Sequence, residues 1–365
     1  MTIPNTLKDI FTKLIKNGAK PILVGGFVRD HFLQMDSKDI DIEVYELDSL
    51  DKLALLLEEF GSVSLVGKSF GVLKLKIEED EYDFSFPRTE NKTGYGHTGF
   101  DVKVDGTLSY EEGARRRDFT INAIGYDYEQ KIFLDPFDGI ADLKEKKLKH
   151  IDEKTFIEDP LRVYRGIQFC ARFELNLDET TKVLFEKMIK KDEFKTLPKE
   201  RVFEEYKKLL LKSKNPSLGL KLLDEFAIES IANKLYEKID NLAKIKLDDK
   251  KSKLFLYCYY LEDNIKKVCD DIKLLRDIEA LKSFKIPKIY ESKIATISDE
   301  QEILKEKYFM MKDMPKPLLI GKDLIEFGMS PSKEFKKILD DIYQKQLDGE
   351  ISSKDEARDL LNFFV

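Results

Sequence analysis

The chain has 365 residues, 42% hydrophobic and 36% charged, with only 18 Gly and 11 Pro. That is long enough for two or three domains with cores of their own, and too poor in breakers for a disordered chain. Its 63 basic and 70 acidic side chains leave a net charge of −7, which taken alone argues against a nucleic-acid partner.

Residues 21–24 predict a short apolar strand that runs into Gly25-Gly26, and residues 27–33 predict the start of a helix. Strict alternation over 38–44, 71–77 and 82–86 predicts sheet strands, and the 3.6-residue spacing over 50–60 predicts an amphipathic helix. Gly94, Gly96, Gly99 and Gly106 punctuate residues 87–113, which read as one long loop of functional length. From about residue 143 the strand signal vanishes. Asp159-Pro160 opens a helix predicted to reach residue 173, with further helices over 178–191, 199–212, 217–226, 250–261 and 334–347. The pattern predicts an α/β head with a mixed sheet over 1–142, then an all-α remainder divided into 143–216 and 217–365. Charge is uneven across these parts: −10, +5 and −2 in that order, so the middle helices form the one net basic block.

Rare residues narrow the chemistry. Only His31, His97 and His150 are present, too few for a histidine-rich metal centre or an HD-type phosphohydrolase. Cys170, Cys258 and Cys269 form neither a CxxC pair nor an even disulfide framework, and read as reduced thiols. The stretch MTIPNTLKDIFTKLIKNG lacks an apolar signal core, and the apolar run over 254–261 is far short of a membrane span. The expectation is a cytoplasmic protein with no membrane partner.

Alternation over 38–44 places Asp39, Asp41 and Glu43 on one strand face, with Ile40, Ile42 and Val44 on the other. Carboxylates a strand-step apart repel, and a hard cation such as Mg²⁺ relieves that repulsion. Asp83, on the strand predicted over 82–86, is a candidate third ligand. A lone DxD can equally be a solvated acidic face, and Gly-Gly can be a simple tight turn. Together with Arg29 in the first turn of the following helix, the glycine pair reads as a phosphate cradle.

Gly25-Gly26-Phe27-Val28-Arg29-Asp30 followed by Asp39-Ile40-Asp41 resembles the head signature of class II tRNA nucleotidyltransferases, the family of CCA-adding enzymes and bacterial poly(A) polymerases. The resemblance continues through Arg88-Thr-Glu-Asn-Lys-Thr-Gly94, His97-Thr-Gly-Phe100, Arg116-Arg-Asp-Phe-Thr-Ile-Asn-Ala123 and Asp135-Pro-Phe-Asp-Gly139. It extends to Glu158-Asp-Pro-Leu-Arg-Val-Tyr-Arg165 and to Glu200-Arg201 with Glu205 and Lys208, in the family's order over roughly 22–210.

This resemblance implies a polymerase-β-like head, an all-α neck carrying a base template, and a helical body and tail that bind tRNA. It implies two-metal nucleotidyl transfer, with Asp39 and Asp41 as catalytic Mg²⁺ ligands. CTP and ATP are the implied substrates, the tRNA 3′ end the acceptor, and no obligate protein partner follows. Gly25, Gly26, Arg29, Arg117 and Asp118 are implied nucleotide contacts, the last toward the ribose. Asp159, Arg162 and Arg165, at i, i+3 and i+6, are the implied template. A carboxylate accepts from the exocyclic amine of cytosine or adenine while a guanidinium donates to the ring nitrogen, and uracil and guanine present the reverse order. On the residues alone, Asp159 could instead be a helix cap and the run Arg115-Arg116-Arg117 a solvated patch.

Glu200, Arg201 and Glu205 read as a brace for the template helix. Gln168 departs from the family, which usually has a third arginine there. The segment 320–331, followed by 350–357, resembles the part that grips the tRNA elbow region. CC-only, A-only and poly(A) addition are the nearest alternatives, although a poly(A) polymerase is expected to carry a longer basic C-terminal extension. A non-catalytic RNA-binding relative is the alternative from another class.

Overall fold

The computed structural model describes the chain except residues 38, 48, 67–70, 93–99, 248, 270 and 365, and describes backbone alone at 89–92 and 100–104. Two compact units emerge, Met1–Ile231 and Ala232–Val365.

The first unit opens with α1 (Asn5–Lys16), β1 (Lys20–Val24), α2 (Gly26–Phe32), β2 (Ile40–Tyr45) and α3 (Leu50–Glu58). Next come β3 (Ser62–Val66), β4 (Val72–Ile77), β5 (Asp80–Ser85), β6 (Arg88–Lys92), β7 (Phe100–Val104) and α4 (Tyr110–Ala114). A 3-10 turn (Thr120–Asn122) leads into β8 (Gly125–Asp127), β9 (Ile132–Leu134), α5 (Gly139–Lys144), β10 (Lys147–Leu148) and α6 (Glu153–Phe156). The unit then runs through α7 (Leu161–Phe173), β11 (Asn176–Leu177), α8 (Glu179–Ile189), α9 (Asp192–Lys195), α10 (Lys199–Lys212) and α11 (Ser217–Glu225).

Seven strands form one mixed sheet in the order β3-β4-β5-β2-β1-β8-β9. β1 lies antiparallel to β2, and β2 parallel to β5. β1 is apolar along its length after Lys20, and β2 is apolar on the face of Ile42 and Val44: Ile22, Leu23, Ile42 and Val44 are buried, as are Leu7, Phe11, Leu53 and Leu57 from α1 and α3. On α7, ten of the thirteen residues are buried, which makes it the core helix of the unit's helical part.

Several features depart from the sequence expectation, among them the short strands β8 and β9. The stretch read as a loop over 87–113 contains an antiparallel pair, β6 with β7, in register from Arg88↔Val104 to Lys92↔Phe100, and then α4. The glycines masked the alternation of Phe100, Val102 and Val104. Gly94, Gly96, His97 and Gly99 lie outside the described residues. Strand pairing also persists past residue 143, between β10 and β11, whose two residues each are too few to show a period. Finally, Asp39 sits just ahead of β2 rather than on it.

The second unit is helical among the described residues, with nine helices from Lys234–Lys244 to Lys354–Asp359 and a closing 3-10 turn, Leu360–Phe363. Its C-terminal part has a core of Leu319, Leu324, Ile338, Ile342, Ala357 and Leu361. No helix of the chain is long and apolar enough to cross a membrane, among the described residues. Cys170, Cys258 and Cys269 are buried and unlinked.

Candidate active site

Strand pairing brings the glycine turn to the carboxylates. Val24 sits opposite Asp41, so Gly25 follows directly beside that side chain. Gly25 has a φ of +69°, and a Cβ there would lie 3.3 Å from Asp41 Oδ2 and 3.5 Å from Arg117 Nη1. Glycine meets both the left-handed backbone and the close approach.

Asp41 is the one exposed residue of β2, and on the parallel neighbour Asp83 is its register partner. Although it opens to solvent, Asp41 is flanked by the walls of a cleft, and this loss of water raises its pKa from the ordinary aspartate value. Arg117 opposes the rise, while the like charges of Asp83, Asp39 and Glu43 add to it. Asp83 Oδ1 is a buried atom without a hydrogen-bond partner, with Lys74 Nζ standing off at 3.7 Å. An under-compensated carboxylate beside an orphaned carboxylate oxygen is a donor set that fits a hard divalent cation. Among the described residues, no three His, Cys, Asp or Glu side chains form a ready cation cage.

Glu43 corrects the expected acidic face. It is 1% exposed and accepts from Arg117 Nη2 (2.6 Å), Arg116 Nη2 (3.0 Å) and the Tyr45 hydroxyl (2.9 Å). Burial pushes its pKa up, but Arg117, Arg116 and Tyr45 outweigh burial and hold the carboxyl below its ordinary range. Glu43 therefore orients two arginines instead of joining Asp41.

A cleft of about 390 Å³ collects the remaining groups. Nine residues expected to touch nucleotide or metal line it, Gly25, Gly26, Arg29, Asp41, Arg117, Asp118, Asp159, Arg162 and Arg165, together with Arg201 of the expected brace. Asp39 and Asp83 lie outside that lining but close enough for their charges to act on Asp41. Seven of the fifteen lining residues are arginine against three aspartates, so the cleft favours a polyanion despite the acidic whole chain.

The partners of these residues differ from the expected ones. Arg29 is buried; Nε and Nη2 donate to Asp30 Oδ1 at 2.8 and 2.6 Å, and Nη1 donates to Asn122 Oδ1 at 2.6 Å. Its guanidinium lies 4.5 Å from the Phe173 ring centroid. Asp118 is buried too: Oδ2 accepts from Arg165 Nε (2.8 Å) and Nη2 (2.7 Å), and Oδ1 from Asn122 Nδ2 (2.8 Å). Burial raises the Asp118 pKa, but Arg165, Asn122 and Arg162 outweigh it and bring the group down to about 2.

Asp159 stands before α7, not on it. Its Oδ1 accepts from the Leu161 N–H (3.1 Å) and its Oδ2 from Arg201 Nη2 (3.2 Å), so a cap and an ion pair coexist in one carboxylate. The i, i+3 spacing predicts contact between Asp159 and Arg162. Instead, Arg162 donates to the carbonyls of Thr155 (2.9 Å) and Arg116 (2.8 Å). The reason is the starting point of the helix: with α7 opening after Pro160, Asp159 lies outside the repeat that would stack it against Arg162. Gln168 is buried outside the cleft lining, and its Oε1 has no hydrogen-bond partner.

His31 stacks on Phe133 with ring centroids 5.7 Å apart, and His150 Nδ1 lies 2.8 Å from Thr181 Oγ1; neither lines the cleft. Sequence reasoning put Glu43 on the acidic face without its arginine partners, and gave no role to Asn122 or Phe169. Asn122 at least lies inside a recognised motif, whereas nothing local distinguishes Glu43 from a third surface acid.

The segments that carry these residues resemble known proteins. Residues 22–149 match the poly(A) polymerase head domain, and residues 174–231 match the module described as "Probable RNA and SrmB- binding site of polymerase A". Two segments of the chain thus resemble domains of the poly(A) polymerase family. Among curated relatives, the multifunctional CCA protein of Mannheimia succiniciproducens is 39% identical over 204 residues, 55% of this chain and 46% of that protein. The CCA-adding enzyme of Buchnera aphidicola is 38% identical over 207 residues, 56% of this chain and 48% of that protein. The match thus spans about half the length of these relatives. In fold, the chain resembles the CTP complex of the Bacillus stearothermophilus CCA-adding enzyme, with a TM-score of 0.72, 21% identity and coverage of 97% of this chain and 96% of the other. The Thermotoga maritima CCA-adding enzyme complexed with tRNA aligns with a TM-score of 0.65 and 21% identity, covering 98% of this chain and 95% of that one.

Proposed function

We propose that this protein is a tRNA nucleotidyltransferase that builds or repairs the 3′-terminal CCA from CTP and ATP. The carrying observation is a single arginine-rich cleft that joins a glycine turn and a cation-suited carboxylate on one wall to Asp159, Arg162 and Arg201 on the other. The matched head and RNA-binding segments and the relatives' printed names support the same reading.

In this reading Asp39 and Asp41, with Asp83 as third candidate, hold Mg²⁺. When bound, the metal lowers the pKa of an attacking 3′-hydroxyl and offsets charge on the phosphate. The residues of the chain do the rest. Gly25 and Gly26 leave room for phosphate oxygens beside Asp41, and Arg117 and Arg165 neutralise the triphosphate. Arg29 and Asp118 act at this site through the side chains they hold. Asp159 accepts from the exocyclic amine of the base and Arg162 donates to its ring nitrogen, which requires each to exchange its present partner. Uracil or guanine would leave both unpaired, at a cost of several kcal/mol in a desolvated site. No histidine is needed as general base. Residues 1–142 serve as catalytic head, 143–216 as neck with the template, and 217–365 as body and tail for tRNA, in a cytoplasmic enzyme. The basic surplus of 143–216 suits an RNA acceptor.

The test is to incubate the protein and Mg²⁺ with tRNA lacking one, two or three terminal nucleotides, with CTP and ATP separately and together. Products that stop at CCA are expected. Addition limited to CC or A, or runs of A, would assign a restricted relative, and no extension of any acceptor would refute the reading.

A further inference from the structure

Asn122 lies between two charged groups of opposite hydrogen-bonding character. On one side is Arg29, whose guanidinium can only donate; on the other is the ionised Asp118, which can only accept. The Asn122 amide meets both, accepting from Arg29 Nη1 at 2.6 Å through Oδ1 and donating to Asp118 Oδ1 at 2.8 Å through Nδ2. The chemistry of the neighbours fixes the amide orientation, since a flipped amide would face donor to donor and acceptor to acceptor. Asn122 is 7% exposed and lines the cleft, and its own carbonyl stands 3.5 Å from Arg117 Nη1.

The contacts continue on either side of the amide. Beyond Arg29 comes Asp30, next to it on α2. Beyond Asp118 comes Arg165 of α7, held at two nitrogens by one oxygen, Oδ2, which fixes the guanidinium and leaves Nη1 for the cleft. An unbroken line of charge-assisted hydrogen bonds therefore runs from the helix behind the glycine turn to the helix beside Asp159. Its members come from three separate stretches of sequence, and its one neutral link is Asn122.

We infer that Asn122 is a positioning residue for nucleotide binding, acting through Asp118 to hold Arg165 at its place in the cleft. The inference rests on the nucleotidyl-transfer reading above. Removing the amide leaves Arg29 short of an acceptor and Asp118 Oδ1 with the Phe119 N–H alone at 2.9 Å, which loosens the hold on Asp118 opposite Arg165. Networks of this kind couple their members, and a double-mutant cycle measures that coupling.

The experiment titrates the full-length protein with CTP and Mg²⁺ calorimetrically, in wild type, Asn122→Ala, Arg165→Ala and the double variant, with melting temperature recorded for each. Asn122→Ala is expected to weaken CTP binding about tenfold, and by less than about twofold in the Arg165→Ala background. Asn122→Ser retains a hydroxyl that can donate to Asp118 and should recover part of the loss; it replaces Asn122→Ala in the cycle if that variant does not fold. A lowered melting temperature with unchanged CTP affinity would reduce Asn122 to a structural residue and overturn the inference. Full additivity with Arg165→Ala would overturn it as well, by cutting the link through Arg165. Wild type that binds no CTP would sink the parent reading and this one together, whereas tight wild-type binding without coupling sinks this one alone.

Discussion

The two walls of the cleft use charge in opposite ways. On the strand wall, charged side chains are buried and committed: Glu43 to Arg116 and Arg117, Arg29 to Asp30 and Asn122. Asp41 is the exception, left with like charges around it. On the helix wall, Arg165 apart, the partners are exchangeable. Asp159 and Arg201 meet at 3.2 Å with more than a quarter of each side chain exposed, and Arg162 spends its donors on two backbone carbonyls. A buried ion pair loses several kcal/mol when one member is removed, while a half-exposed pair contributes about 1 kcal/mol or less. On the proposed function, the strand wall stays fixed and the helix wall trades partners for a base, a division between chemistry and choice.

That contrast can be broken at several points. The largest effect belongs to Asp41→Ala, which is expected to abolish Mg²⁺-dependent incorporation, by at least about a thousandfold, while circular dichroism and melting stay near wild type. Retained turnover would remove Asp41 from the chemistry. Next is Glu43→Gln, which takes the buried Glu43 counter-charge from two part-buried guanidiniums and should cost about 3 kcal/mol by denaturant unfolding. Tyr45→Phe removes only the hydroxyl bond to Glu43 and should cost about 1 kcal/mol. Equal costs for the two would mean that the ion pairs, and not only the hydroxyl, contribute little.

Asp118 sharpens the comparison through pH. Its pKa is lowered in the folded protein to about 2, so the stability it contributes is complete above its ordinary carboxylate range. That contribution is lost as pH falls from about 4 toward 2, and linkage puts it on the order of 2 kcal/mol. Asp118→Asn should flatten this part of the acid limb in a stability-against-pH series; an unchanged limb would place its origin elsewhere. The smallest effect is expected from Gln168→Leu. Its buried Oε1 has no partner to lose, so stability should change by no more than about 1 kcal/mol and CTP affinity should hold. A clear loss of CTP affinity would return position 168 to the nucleotide site despite its place outside the lining.

Much of the site was legible in sequence because its chemistry is local. A glycine pair after a short apolar strand, a DxD at the next strand and arginines spaced along one helix carry their meaning within a few residues, and all but the ends of that set converge on the cleft. Pairing was not legible. Arg29 and Asn122 meet across 93 positions, and Glu43 and Arg117 across 74, so nothing near either residue announces its partner. The same limit explains the fold errors. The β6–β7 pair is written in a segment dominated by glycine, and β8 and β9, three residues each, are too short for alternation to stand out. Whole-chain charge misled for a related reason: acidity concentrated over 1–142 hides an arginine-lined cleft.

The division between the walls is tested most directly by measuring kcat/KM for CTP, ATP, UTP and GTP on shortened tRNA in wild type and Asp159→Ala. Wild type should favour CTP and ATP by at least about a hundredfold over UTP and GTP. Asp159→Ala should keep measurable Mg²⁺-dependent turnover while that preference collapses to within about tenfold. An Asp159→Ala enzyme that slows on all four nucleotides alike and keeps its preference would contradict the account, because choice would then lie somewhere other than the helix wall.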